Sequence, residues 1–258
     1  MKQDFFIENR KGLYGKISER SLVIMFSGHA PVRTNDENYP FFADRNYTYL
    51  AGVEQEDSVF MAEVFGNGEV EESLYILPSD LLLERWNGKR FTREEAEEKS
   101  GIKNIFVNTG FMKRLEEKLI AMEFDCVYMD FGKLSPKEED RESYRLAGWI
   151  RKHYPYVHIK NLNVLVRELR TYKKPEEIQA IRMAEQVTKE GIEAMMRASK
   201  PGMYEYQYKA EFDYALAQRG ILTPGFPSII SAGKNNFCIH YYSYRGQAAE
   251  GDLILNDV

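Results

Sequence analysis

Leu169-Arg170-Thr171-Tyr172-Lys173-Lys174-Pro175-Glu176-Glu177-Ile178 divides the sequence into two unlike parts. Pro175 suits the first turn of a helix, where its missing N–H costs no hydrogen bond, and Glu176 and Glu177 complement the partial positive charge of a helix start. From there Ile178, Ile181, Ala184, Val187, Ile192, Met195 and Met196 keep close to helical spacing until Lys200-Pro201-Gly202 ends the run. The apolar face so formed must be covered. A further helix is expected over residues 205–219, with Tyr208, Phe212, Ala215 and Leu216 on one side and Gly220 as its cap. The chain then turns to strands, the last of them over residues 251–258.

Upstream of the junction, short apolar runs alternate with helical patterns. Residues 22–26, closed by Ser27-Gly28, read as a strand, and so do 58–65 and 71–77, which flank Gly66-Asn67-Gly68. Asn-Gly predicts a type I′ turn, since both residues accept a positive φ. Strands over 105–107 and 127–131 are separated by a helix over 111–122 that carries Leu115, Leu119 and Met122. Ser135-Pro136 followed by Glu138, Glu139 and Asp140 predicts another helix over 137–153. The result is an α/β domain over residues 1–170 and a second unit over 171–258. Neither an internal repeat nor a low-complexity tract interrupts them.

With 258 residues and 43% hydrophobic content, the chain can bury a sizeable core and form more than one domain. A net charge of −5, with Lys and Arg interspersed among acids, provides no basic stripe, so nucleic acid is not an expected partner. No run approaches the roughly 18 to 20 apolar residues of a spanning helix, and nothing resembles an export signal, so no membrane partner is expected. Cys126 and Cys238 lie far apart and outside any Cys-x-x-Cys pair, which fits free thiols in the cytoplasm. Phosphate loops, Gly-x-Ser-x-Gly and His-Glu-x-x-His are absent, which argues against nucleotide, serine-hydrolase and zincin chemistry.

Several motifs remain. In order they are Asn38-Tyr39-Pro40-Phe41-Phe42, YTYLAGV at 47–53, Glu84-Arg85-Trp86-Asn87-Gly88-Lys89-Arg90 and Arg167-Glu168-Leu169-Arg170. Lys174-Pro175-Glu176-Glu177-Ile178, Lys200-Pro201-Gly202-Met203-Tyr204-Glu205, Pro224-Gly225-Phe226-Pro227, Cys238-Ile239-His240-Tyr241 and Gly251-Asp252-Leu253-Ile254-Leu255-Asn256-Asp257-Val258 follow. No single one is specific, but their order along nearly the whole chain resembles the Xaa-Pro aminopeptidases and prolidases. Two departures are visible, Lys174 where many relatives carry a Ser cap and Asn256 where they carry an apolar residue or an alcohol. Neither removes a functional group.

The resemblance implies a creatinase/prolidase-like α/β N-terminal domain followed by the first, incomplete part of an α+β pita-bread metallopeptidase domain. It implies removal of an N-terminal residue that precedes proline, by two divalent metal ions, manganese by preference. Such ions strengthen a water nucleophile and favour oxygen donors. By resemblance Asp257 is the first metal ligand and His240 lies beside the substrate, stabilising the charge that develops at the scissile bond. One Asp, one His and two Glu would complete the site beyond Val258, so the chain alone is expected to bind no metal pair and to be inactive. Trp86 is a substrate-binding candidate because oligomeric relatives lend such a Trp to a neighbouring subunit, which implies a homo-oligomer. Tyr241 is a second candidate, from an aromatic cluster suited to proline-containing peptides.

Local pattern gives plainer readings for the same residues: a partly buried strand position for His240, a solvated chain end for Asp257, a core position for Trp86 and ordinary packing for Tyr241. Two other functions share the fold, a noncatalytic module for peptide binding or oligomer assembly and a metal-free creatinase-like hydrolase. Asp257 argues mildly against the latter.

Overall fold

Short apolar strands and the helices between them build Met1–Tyr172, the first of two units in the computed structural model, which describes residues 1–258. In chain order the unit contains α1 (Gln3–Tyr14), β1 (Ser21–Phe26), a small ribbon of β2 (Val32–Thr34) and β3 (Glu37–Asn38), α2 (Arg45–Ala51), β4 (Val59–Val64) and β5 (Val70–Ile76). After them come α3 (Leu81–Asn87), α4 (Arg93–Ser100), β6 (Asn104–Val107), α5 (Phe111–Ile120), β7 (Cys126–Met129), α6 (Glu142–His153), β8 (His158–Asn161) and α7 (Asn163–Thr171). The main sheet has the order β6-β5-β4-β1-β7-β8. It is mixed: β4 runs antiparallel to β1 and β5, and the remaining pairs are parallel.

Alternation along β1 explains the two layers of core. Val23 and Met25 join a cluster with Phe5, Phe6, Leu50 and Val166, whereas Leu22 and Ile24 join one with Leu115, Leu119 and Ile150. A strand covered on both faces reads as an unbroken apolar run, as residues 22–26 do. Arg10 is buried among the helices of the first face. Its guanidinium donates to the carbonyls of Leu50 and Ser100 and to Glu72 Oε1, at 2.8, 3.0 and 2.8 Å, so no buried charge is left unpaired.

Two local expectations change. The β4–β5 hairpin forms, but Asn67 does not take a positive φ. Gly68 N–H closes a turn onto Phe65 O at 3.1 Å, and Gly68 itself is left-handed at φ 82°. This is the longer loop in which a turn is followed by a left-handed glycine, so Gly68 supplies the positive φ expected of the Asn-Gly pair. Helix α6 begins at Glu142 rather than 137. The acids upstream are used in a loop: Glu138 Oε1 accepts from the backbone N–H groups of Leu134 and Ser135 at 2.9 and 3.0 Å, and Lys133 Nζ reaches Asp140 at 2.6 Å.

The second unit, Lys173–Val258, contains α8 (Pro175–Ala198), α9 (Glu205–Ala217) and an antiparallel pair, β9 (Ile229–Ala232) and β10 (Ile254–Asp257). Pro175 opens α8, and Glu177 Oε2 reaches back to the N–H of Lys174 at 2.9 Å. The core joins Val187 and Met195 of α8 to Tyr208, Phe212 and Leu216 of α9 and to Ile230 and Ala232 of β9. The apolar series of α8 is covered only in part, because Ile178, Ile181 and Met196 remain exposed.

Candidate active-site segment

Asp257 lies on β10, opposite Ile229 of β9, with its side chain exposed. β9 is buried throughout, so the strand that carries the carboxylate is fixed by a buried partner. Beyond β9 the chain makes a 3-10 turn, Gly233–Phe237, tied to the β10 side of the unit because Asn236 Nδ2 donates to Leu253 O at 2.9 Å. His240 follows in an exposed turn. The strand expected at 239–241 is absent, and with it the partly buried setting of the histidine. Residues 238–246 enter no ladder, and the His240 ring stacks near that of Tyr242, with centroids 6.3 Å apart and planes 18° apart.

Tyr241 is half-buried and its hydroxyl is occupied. It accepts from Asn235 Nδ2 at 3.0 Å and hydrogen-bonds Glu205. Burial, then the Glu205 carboxylate, push its pKa up, so the phenol stays protonated at neutral pH. Trp86 belongs to the first unit. It lies on α3, none of whose residues is buried, and is 82% exposed, so the core position suggested by local pattern does not hold. His240, Tyr241 and Asp257 therefore share the second unit, while Trp86 sits in the first.

Sequence reasoning missed Glu205. It is the first residue of α9 and completely buried. Its carboxylate accepts from Ala232 N at 2.8 Å, Asn235 Nδ2 at 2.9 Å and Gly246 N at 2.7 Å. Burial pushes its pKa up, but the hydrogen bonds from Asn235, Tyr241, Ala232 and Gly246 outweigh that effect and hold it below the ordinary value. A Glu in a first helical turn has a sufficient local explanation in the helix dipole, so no sequence signal pointed further.

Cys126 is buried, Cys238 is exposed, and both are free thiols. No three His, Cys, Asp or Glu side chains converge in a way that would hold a metal ion. Asp257 by itself does not fit a pair of cations, so the donor set of these residues does not make a two-metal centre.

Residues 6–128 match the aminopeptidase P N-terminal domain, and residues 179–258 match metallopeptidase family M24. The chain belongs to the aminopeptidase P family of metallopeptidases. Its architecture is the N-terminal domain of that family followed by the start of the M24 catalytic domain. A structure described as a putative aminopeptidase P from Bacillus anthracis is similar at 36% identity with a TM-score of 0.96, over 100% of this chain and 61% of that one. The Xaa-Pro aminopeptidase of Escherichia coli is 25% identical over 98% of this chain and 57% of the enzyme. Aminopeptidase P from E. coli with the inhibitor Pro-Leu shares the fold, at 22% identity and a TM-score of 0.89. The chain spans about half the length of the curated relatives it matches, 57% in the E. coli case. No helix is long and apolar enough to cross a membrane.

Proposed function

We propose that this chain is the front portion of a cytoplasmic Xaa-Pro aminopeptidase, with an N-terminal domain over residues 1–170 and the opening part of the catalytic domain over 171–258. The observation that supports it most is the match of both halves, in order, to the two domains of one metallopeptidase family. In this reading Asp257 is the first ligand of a manganese pair whose other ligands lie outside these 258 residues, and the chain alone is inactive. His240, on its exposed turn, donates a hydrogen bond at the scissile bond of a proline-containing peptide and stabilises the charge developing there. Tyr241 contributes its ring to the substrate pocket, since its hydroxyl is engaged by Asn235 and Glu205. Trp86 is offered to a second copy of the protein in a homo-oligomer, which its exposure allows.

The test is a protein carrying these residues together with the remaining four ligands, supplied with manganese and an Arg-Pro-Pro peptide. It should release the N-terminal residue, and His240→Ala should lower turnover about a hundredfold. Unchanged turnover would remove His240 from the mechanism. One observation favours a second reading, a noncatalytic assembly module: α3 exposes Leu81, Leu82 and Trp86 at 78, 66 and 82%. A complete protein that binds the peptide without cleaving it would select that reading.

A further inference from the structure

We propose that Glu205 is a positioning residue, whose buried carboxylate fixes the loop over residues 233–246 so that the turn bearing His240 keeps one geometry. The proposal rests on the reading of His240 as the histidine beside the substrate. Its foundation is the pattern of bonds. One carboxylate reaches both ends of the loop: Ala232 N and Asn235 Nδ2 on the entering side at 2.8 and 2.9 Å, and Gly246 N on the leaving side at 2.7 Å. His240 lies between these anchors, and Asn235 Nδ2 extends the network to Tyr241, its immediate neighbour, at 3.0 Å.

Two further observations separate this role from ordinary helix capping. The N–H of Tyr204 at the start of α9 is already taken by Gln207 Oε1 at 2.8 Å, so the reach back to the helix entry does not need Glu205. A residue that merely complements the dipole can stay in water, whereas Glu205 is completely buried, an environment that a carboxylate tolerates only when hydrogen-bonded as this one is. The fit is also close. A Cβ at Gly246 would lie 2.6 Å from Glu205 Oε1, so the backbone of the loop comes directly onto the carboxylate. Residues 238–246 have no strand ladder; backbone bonds from Glu205 N to Gly246 O at 2.9 Å and from Tyr206 N to Tyr244 O at 3.1 Å hold the leaving side, and the carboxylate joins that side to Ala232 and Asn235.

The experiment measures backbone order by nitrogen-15 relaxation in the 258-residue chain, comparing wild type with Glu205→Gln and Asn235→Ala. Glu205→Gln keeps the shape but turns an amide N–H₂ toward one of the N–H donors; Asn235→Ala removes the Asn235 bridge between Glu205 and Tyr241 and leaves their direct contact. In the wild type, His240 and Tyr241 should show order parameters near the rigid value of about 0.85, and in the variants values below about 0.6, with α8 and α9 unchanged. A purely structural role would lower Tm while leaving His240 rigid, and that result would overturn the proposal. A wild-type loop that is already mobile would overturn it too. Should Glu205→Gln fail to fold, Glu205→Asp, which keeps the charge but draws the carboxylate back by one methylene from Ala232 N and Gly246 N, decides by the same readout. Because no turnover is measured, the outcome is independent of the peptidase assignment: a His240→Ala protein with full activity would discard that assignment while the clamp stood.

Discussion

Glu205 ties stability to pH in a direction set by its hydrogen bonds. Its folded pKa lies below the ordinary carboxylate value, so on acidification the unfolded chain takes up the proton first. Its contribution is therefore complete above about pH 4.5 and is lost as the pH falls through the folded value. The urea midpoint of the second unit should fall more steeply between pH 6 and pH 3 in wild type than in Glu205→Gln; parallel slopes would contradict the direction of the shift. At pH 7 the same change should cost about 2 kcal/mol, because one buried N–H donor loses its acceptor. Among single residues, Asp257 and His240 were legible as candidates from the order of the motifs around them. Glu205 was not, because its burial is created by a loop that returns from about forty positions downstream, and separations of that kind leave no local mark. The setting of His240 was misread for a related reason: an apolar neighbour on one side and tyrosines on the other resemble a strand, but no partner strand is available to residues 238–246.

The α8–α9 pair shows an element-level constraint that propensity would misjudge. Gly191 sits inside α8, where alanine would ordinarily be favoured by about 1 kcal/mol. A Cβ there would lie 2.5 and 2.7 Å from the ring carbons Cδ2 and Cε2 of the buried Phe212 of α9, within the well-packed core of the unit. Overpacking of this kind costs about 1 to 3 kcal/mol, so Gly191→Ala should lower the urea midpoint despite the gain in helix propensity. A raised midpoint would show that the helices separate freely. Elsewhere, helices with long periodic faces, such as α5 and α8, were readable, while α2, α3 and α4 were too short to show a period. Helix α4 is held at its start by a capping box: Glu95 N donates to Thr92 Oγ1 at 3.2 Å and Thr92 N to Glu95 Oε2 at 2.9 Å. Thr92→Ala should cost about 1 kcal/mol, measured by chemical denaturation of the first unit. The late start of α6 is the opposite case, since two acids that look like a first turn are used in the preceding loop, Glu138 on its backbone and Asp140 on Lys133.

For the whole molecule, the division at the Lys-Lys-Pro junction and the change from a mixed sheet to paired helices follow from the change in apolar spacing along the sequence. What spacing could not supply is the partner of α3. Leu81, Leu82 and Trp86 form an exposed apolar group on a helix that buries nothing, and the proposed homo-oligomer would cover it. Sedimentation should then show a species larger than one chain, reduced in size by Trp86→Glu; a monomer in both would set the oligomer aside. The central claim concerns the metal centre, for which we propose that these residues supply one ligand, Asp257, and a histidine beside the substrate, His240, with the other ligands lying outside them. Calorimetric titration of manganese into the purified 258-residue chain bears on it most directly. Heats no larger than dilution are expected, and two ions held tightly per chain would contradict the claim.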